Sequence, residues 1–217
     1  MLSRDYIMRM TNLLAKALAR VLFLKEIKNY EEALVEVEKT GSSLLGLDLE
    51  VFEKIPLANV KSLLGSDATI RQSKLFAAGM LLKEKAEIRE SQGEEEDSVF
   101  LNLKSLELLV EELPDSKEFG EGKWKQGVEL LVERIKGYDR PIELKRRLAA
   151  YYEFVGEYDR LENTVFDILE SDPGFVSDGI LIYERLSRKT DDELESGKLP
   201  RNEVMEALEI LRSHPGL

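Results

Sequence analysis

The first 25 residues carry an apolar pattern that is typical of a helix packed on more than one side. Apolar residues recur at the three- and four-residue spacing of one helix face. These residues are Ile7, Met10, Leu14, Leu18 and Val21, with Leu13, Ala17 and Leu24 beside them. Arg9, Lys16 and Arg20 share the opposite side, because spacings of seven and four return to one face. The pattern predicts a helix over residues 4–25 with neighbours on at least two sides and a basic stripe facing solvent.

Helical spacing continues through every long segment that follows. Asn29 and Asp67 are suited to cap helix starts, and Gly93 and Gly156 are suited to end helices. Further helices are predicted from residue 29 to the 41–46 region and over 48–54, 57–64, 67–92, 95–113, 122–136, 141–155, 157–171, 175–188 and 201–213. Pro114 is expected to stop the helix that begins at residue 95. The sequence therefore predicts an all-α protein with at least eight helices and no sheet.

The length of 217 residues is compatible with one helical domain over residues 1–217. We divide it into an N-terminal helical part, 1–65, a middle part, 66–173, and C-terminal helices, 174–217. The middle part is expected to hold two helix pairs of similar pattern with an extra helix between them.

One of these pairs has residues at characteristic positions of a helix–turn–helix repeat. They are Leu148, Ala149, Tyr152, Gly156, Tyr158, Asp159 and Pro173. This set resembles the tetratricopeptide repeat, a unit of roughly 34 residues that stacks with its neighbours. Lys145, Leu161 and Ile168 depart from the family pattern, which prefers an aromatic residue at the first position and alanine at the other two.

A second, less regular copy of the pattern lies earlier in the chain. Ala86, Ser98 and Ser105 occupy the small-residue positions around Gly93, and Tyr30-Glu31-Glu32-Ala33 is a fainter third copy. The spacing of the copies does not match a tandem array, so the resemblance implies an irregular helical-hairpin solenoid or bundle. Residues 4–9 and 28–34 also resemble an uncharacterised bacterial family, which implies a cytoplasmic bacterial protein of unknown function.

Composition excludes several chemistries. The chain has no cysteine, which excludes disulfides, thiol catalysis and cysteine-bound metals, and a cysteine-free chain suits a cytoplasmic protein. Its one histidine, His214, lies near the C-terminus, so a multi-histidine metal site is not expected. The acids of residues 94–97 are consecutive and lack the alternation of a calcium loop, and residues 120–124 lack the spacing of a phosphate-binding loop. We therefore predict no metal, no cofactor and no catalytic residue.

Charge is distributed unevenly along the chain. The net charge is −12, but the first 25 residues contain five basic residues and one acid, a balance of +4, so the remaining 192 residues carry −16. An acidic body repels phosphate backbones, which disfavours nucleic-acid binding. Lys16 and Arg20 interrupt the N-terminal apolar run, so we expect neither a signal peptide nor a membrane span.

These observations favour a non-enzymatic protein–protein interaction or scaffold module with a protein or peptide partner. The resemblance implies that the first helices of the pairs line a concave face, and that six of their side chains would point into it. They are Lys83, Glu87, Glu90, Arg146, Glu153 and Phe154. Lys83 and Arg146 would suit an acidic peptide or a terminal carboxylate.

Two other functions stay open. A regulator could contact nucleic acid or an anionic membrane through the basic N-terminal helix, and an enzyme could act with carboxylates only. The same helix could also pair two copies of the chain in a homodimer.

Overall fold

The computed structural model describes the backbone of residues 2–112 and 121–213 and the side chains of residues 5–112 and 124–213. The described residues form twelve α-helices and one 3-10 turn, Pro173–Phe175, with no strand among them. The helices are α1 Leu2–Glu26, α2 Tyr30–Leu45, α3 Leu49–Lys54, α4 Leu57–Leu63, α5 Ala68–Ser91, α6 Glu95–Glu111, α7 Glu121–Arg134, α8 Ile142–Val155, α9 Tyr158–Ser171, α10 Val176–Leu186, α11 Asp191–Ser196 and α12 Arg201–Ser213. The prediction of an all-α protein is confirmed.

Local sequence signals account for several helix ends. The side chain of Asn29 accepts a hydrogen bond from the amide of Glu32, and that of Asp67 accepts one from the amide of Ile70, as predicted for two N-caps. Gly93 and Gly156 follow α5 and α8 with positive φ angles of 83° and 76°. Glycine is favoured in this left-handed conformation because other residues carry a Cβ that crowds the next carbonyl.

Some boundaries differ from the prediction. Helix α6 ends at Glu111, and the predicted stop at Pro114 lies outside the described residues, as does His214. The helix predicted over 175–188 forms as Val176–Leu186, and Phe175 belongs to the 3-10 turn Pro173–Phe175 before it. Helix α11 was not predicted; it begins with a capping box between Thr190 and Glu193.

Packing contacts divide the chain into two compact units, residues 1–138 and 139–217. The two hairpins that resemble each other in sequence, α5–α6 and α8–α9, fall in different units. The single domain over 1–217 stays a prediction.

Helix α5 is the centre of the first unit. It packs against α1, α2, α3, α6 and α7, so its middle turns are covered on nearly every side. Its fully buried apolar residues include Ala77, Ala78, Leu81, Leu82 and Ile88. Because this helix is enclosed, its charged residues have to find ion partners inside the unit.

Helices α5 and α6 approach most closely at Gly79. A Cβ at this position would lie 2.7 Å from Leu109 Cδ2 and 3.2 Å from the carbonyl oxygen of Ser105. The Ser105 hydroxyl donates a hydrogen bond to the carbonyl oxygen of Gly79 at 2.7 Å. A small residue at 105 and no side chain at 79 therefore allow the two backbones to meet.

We expect Gly79→Ala to destabilise the first unit by about 1–2 kcal/mol, because overpacking outweighs the gain in helix propensity. Gly127→Ala in α7 is the matched control, since its Cβ would make only ordinary contact with Met80 at 3.4 Å. The control is expected to gain up to about 1 kcal/mol. Urea unfolding of the three proteins measures both effects, and equal stabilisation by the two alanines would contradict the close contact.

The second unit is built on the α8–α9 hairpin, with α10 and α12 packed together after it. Tyr152 and Leu148 of α8 are buried, and so are Leu161 and Ile168 of α9. Lys145, which replaces the aromatic residue of the repeat pattern, is also buried and pairs with Asp167 of α9 at 2.9 Å. An ion pair thus links the two helices where the repeat pattern has an aromatic residue.

Candidate functional site

Three of the six predicted face residues lie on α5, and each forms an ion pair within the first unit. Lys83 is only 8% exposed, and its Nζ lies 2.8 Å from Glu84 and 3.0 Å from Glu87. Arg134 of α7 contacts Glu87 and Glu90, each at 3.0 Å. The structure therefore brings Lys83, Glu87 and Glu90 into one network.

Lys25 of α1 extends this network. Its ammonium lies 2.6 Å from Glu84 and also contacts Glu87. Burial by itself would lower the pKa of Lys25, but the two carboxylates outweigh burial and raise it. Burial would raise the pKa of Glu87, but Lys25 and Lys83 outweigh it and lower that pKa. The network thus keeps both groups charged and ties α1 to α5.

The other three predicted residues lie on α8 in the second unit. The guanidinium of Arg146 contacts Asp172 and lies 5.2 Å above the ring of Phe175. Glu153 accepts two hydrogen bonds from Arg185 of α10, at 2.6 and 2.7 Å. Phe154 is 45% exposed.

The peptide-binding role of these six residues stays a prediction, but both expected cations already have internal partners. A carboxylate ligand would have to displace Glu84 and Glu87 from Lys83, or Asp172 from Arg146. Displacement would leave a partly buried acid with one cation fewer, which opposes binding.

The buried stripe of α1 shows that this helix packs on the other helices of the first unit. Met10, Leu14, Ala17, Val21 and Leu24 are all buried, and α1 packs on α2 and α5. Leu13 had been placed beside the apolar arc in the prediction. It is 52% exposed, because it lies outside this stripe.

The opposite side of α1 presents a second apolar surface, which the sequence reasoning missed. We call it the outer face; its apolar residues are Met8, Ala15, Ala19, Leu22 and Phe23, all exposed, and the polar Asn12 lies between Met8 and Ala15. Met8, Leu22 and Phe23 are 56%, 48% and 54% exposed. The three- and four-residue spacing of this set could have revealed it, since spacings of seven place Met8, Ala15 and Leu22 along one line.

The predicted basic stripe runs along one edge of the outer face and is exposed to solvent. Arg20 pairs with Glu32 of α2 at 2.7 Å, whereas Arg9 donates a hydrogen bond to the carbonyl oxygen of Asp5 at 3.4 Å. Lys16 has no ion pair with any residue that the structure describes. Two cations beside the outer face therefore lack a carboxylate partner within the described part of the chain.

The pKa of the Glu162 carboxyl in α9 is raised above its ordinary value. Burial and the nearby carboxylates of Glu203 and Glu206 raise its pKa, although the Tyr183 hydroxyl lowers it by donating a hydrogen bond at 3.2 Å. Burial, and then the same carboxylate, raise the pKa of Tyr183. This pair links α9 to α10 and keeps the tyrosine protonated, which suits a structural hydrogen bond.

The described residues contain no group of three or more histidine, cysteine, aspartate or glutamate side chains placed to hold a metal ion. None of their helices combines the length and the apolar character needed to cross a bilayer.

A family model, DUF6483, which is described as a family of unknown function, matches residues 66–216. No curated protein and no solved structure shows significant similarity to the chain.

Proposed function

The chain belongs to the DUF6483 family, and we propose that it is a non-enzymatic interaction module that binds a protein partner through the outer face of α1. The observation that carries this proposal is the exposure of Leu22 and Phe23 beside each other on the uncovered side of a docked helix, with Met8 about 21 Å away along the same side. Adjacent large apolar side chains on a surface are typical of interaction sites.

The charges beside the outer face favour a partner with acidic residues next to apolar ones. Lys16 and Arg9 have no carboxylate partner among the described residues. At physiological ionic strength charges interact over about 8 Å, so these two cations act on what lies directly beside them. A helix or loop with apolar residues flanked by aspartate or glutamate would satisfy both requirements.

A second copy of the chain that packs antiparallel to the first fits this surface less well. In an antiparallel two-fold pair of α1 helices each flank lies opposite the same flank of the other copy. Arg9 and Lys16 would then face the same basic side chains of the second copy, which is unfavourable.

Membrane or nucleic-acid contact through the basic stripe is the alternative regulator function. One cation of the stripe, Arg20, is engaged by Glu32 at 2.7 Å and has Glu36 3.7 Å away. Fewer cations are thus available for phosphates, and each phosphate contact contributes to affinity. Nucleic-acid binding would also leave the apolar outer face unused, whereas a protein partner would use it.

We further infer that α8–α9 is a tetratricopeptide-like hairpin within an irregular helical solenoid or bundle. Support comes from the positive φ of Gly156 and from the burial of Leu148, Ala149 and Tyr152 at the positions that the repeat pattern assigns to packing. In such folds extended helical surfaces serve protein binding, in keeping with the interaction module.

The proposal is tested by affinity capture from native lysate with the full chain. We expect a discrete protein to be captured by the parent and lost with the double variant Leu22→Ser/Phe23→Ser. Leu181→Ser in α10 is the matched control, since Leu181 is an apolar side chain of similar exposure, 54%. All variants should keep their thermal stability, because substitutions at exposed sites change it by about 0.5 kcal/mol or less.

Three outcomes would contradict the proposal. The same proteins could be captured by the parent and the double variant. The parent could instead bind anionic vesicles, with binding lost in the double variant. Native mass spectrometry could show a dimer of the parent that the double variant does not form.

A further inference from the structure

We draw no further inference here: the strongest candidate, the groove of about 570 Å³ between α2, α3, α5 and α6 whose lining includes Glu38, Asp48, Glu53, Asp97 and Phe100, is a cluster of carboxylates whose buried cation, Lys85, is already paired with Glu38 at 2.6 Å and Glu53 at 2.7 Å, and nothing in the structure shows what would occupy it.

Discussion

Deletion of residues 1–25 is expected to leave the first unit molten or insoluble. Burial of one side chain such as Leu14 or Val21 contributes roughly 1.5–3 kcal/mol, and the net stability of a domain is only about 5–15 kcal/mol. Several such side chains in the buried stripe of α1 therefore rival the whole stability. The deletion also removes Lys25, which would leave Glu84 and Glu87 with one cation fewer in a mostly buried network.

The deletion is measured by near-ultraviolet circular dichroism, dye binding to exposed apolar surface and size-exclusion chromatography. The control replaces Arg9, Lys16 and Arg20 by serine in the full chain. It should fold nearly as the parent does, because exposed ion pairs such as Arg20–Glu32 contribute about 0–1 kcal/mol. A truncated protein that stays monomeric and equally heat-stable would show that α1 is not part of the folded core.

Tyr152→Ala is expected to destabilise the second unit by about 3 kcal/mol, because it removes a buried ring and leaves a cavity. The side chain is 2% exposed and meets the ring of Tyr151 edge-on at 5.3 Å between centroids. The guanidinium of Arg160 from α9 lies 4.4 Å above the ring, and it also donates to the Tyr152 hydroxyl at 2.9 Å. One side chain thus holds the two helices of the hairpin together.

Tyr152→Phe separates the ring from its hydroxyl. It keeps the apolar contacts and the cation above the ring, so we expect a loss of only about 1 kcal/mol. Urea unfolding monitored by circular dichroism measures both variants. Unchanged stability in Tyr152→Ala would show that the ring does not hold α8 to α9.

The helices could be predicted from the sequence alone because the residues that mark their ends act locally. Asn29 and Asp67 cap helices through neighbouring amides, and Gly93 and Gly156 end helices through their own backbone conformation. Such interactions span a few residues, so they can be recognised without knowledge of the tertiary structure. The short helix α11 was missed because it has a single buried apolar residue, Leu194, and hence no apolar period.

The candidate sites depended on contacts between residues far apart in the chain. Lys83 reads as a surface cation in the sequence, but Arg134 and Lys25 join the same network from α7 and α1. The close approach at Gly79 was also missed, because only the positions of Leu109 and Ser105 on α6 make a Cβ there unfavourable. Periodicity describes the faces of a helix, whereas packing decides which of them are covered.

The apolar pattern of α1 illustrates this limit. Both the buried stripe and the outer face follow helical spacing, and the sequence does not distinguish Leu14, which is 4% exposed, from Leu22, which is 48% exposed. The difference arises because α2 and α5 cover one side of the helix only. The uncovered side is the surface on which the proposed function rests.

The most direct test of this function is photo-crosslinking in native lysate, with the photoreactive residue p-benzoyl-phenylalanine replacing Leu22 in the full chain. The matched control carries it in place of Leu181, which is similarly exposed on α10. We predict one discrete adduct with a different protein from position 22 and none from position 181. No protein adduct from position 22, or an adduct only with a second copy of the chain or with lipid, would contradict the proposed interaction module.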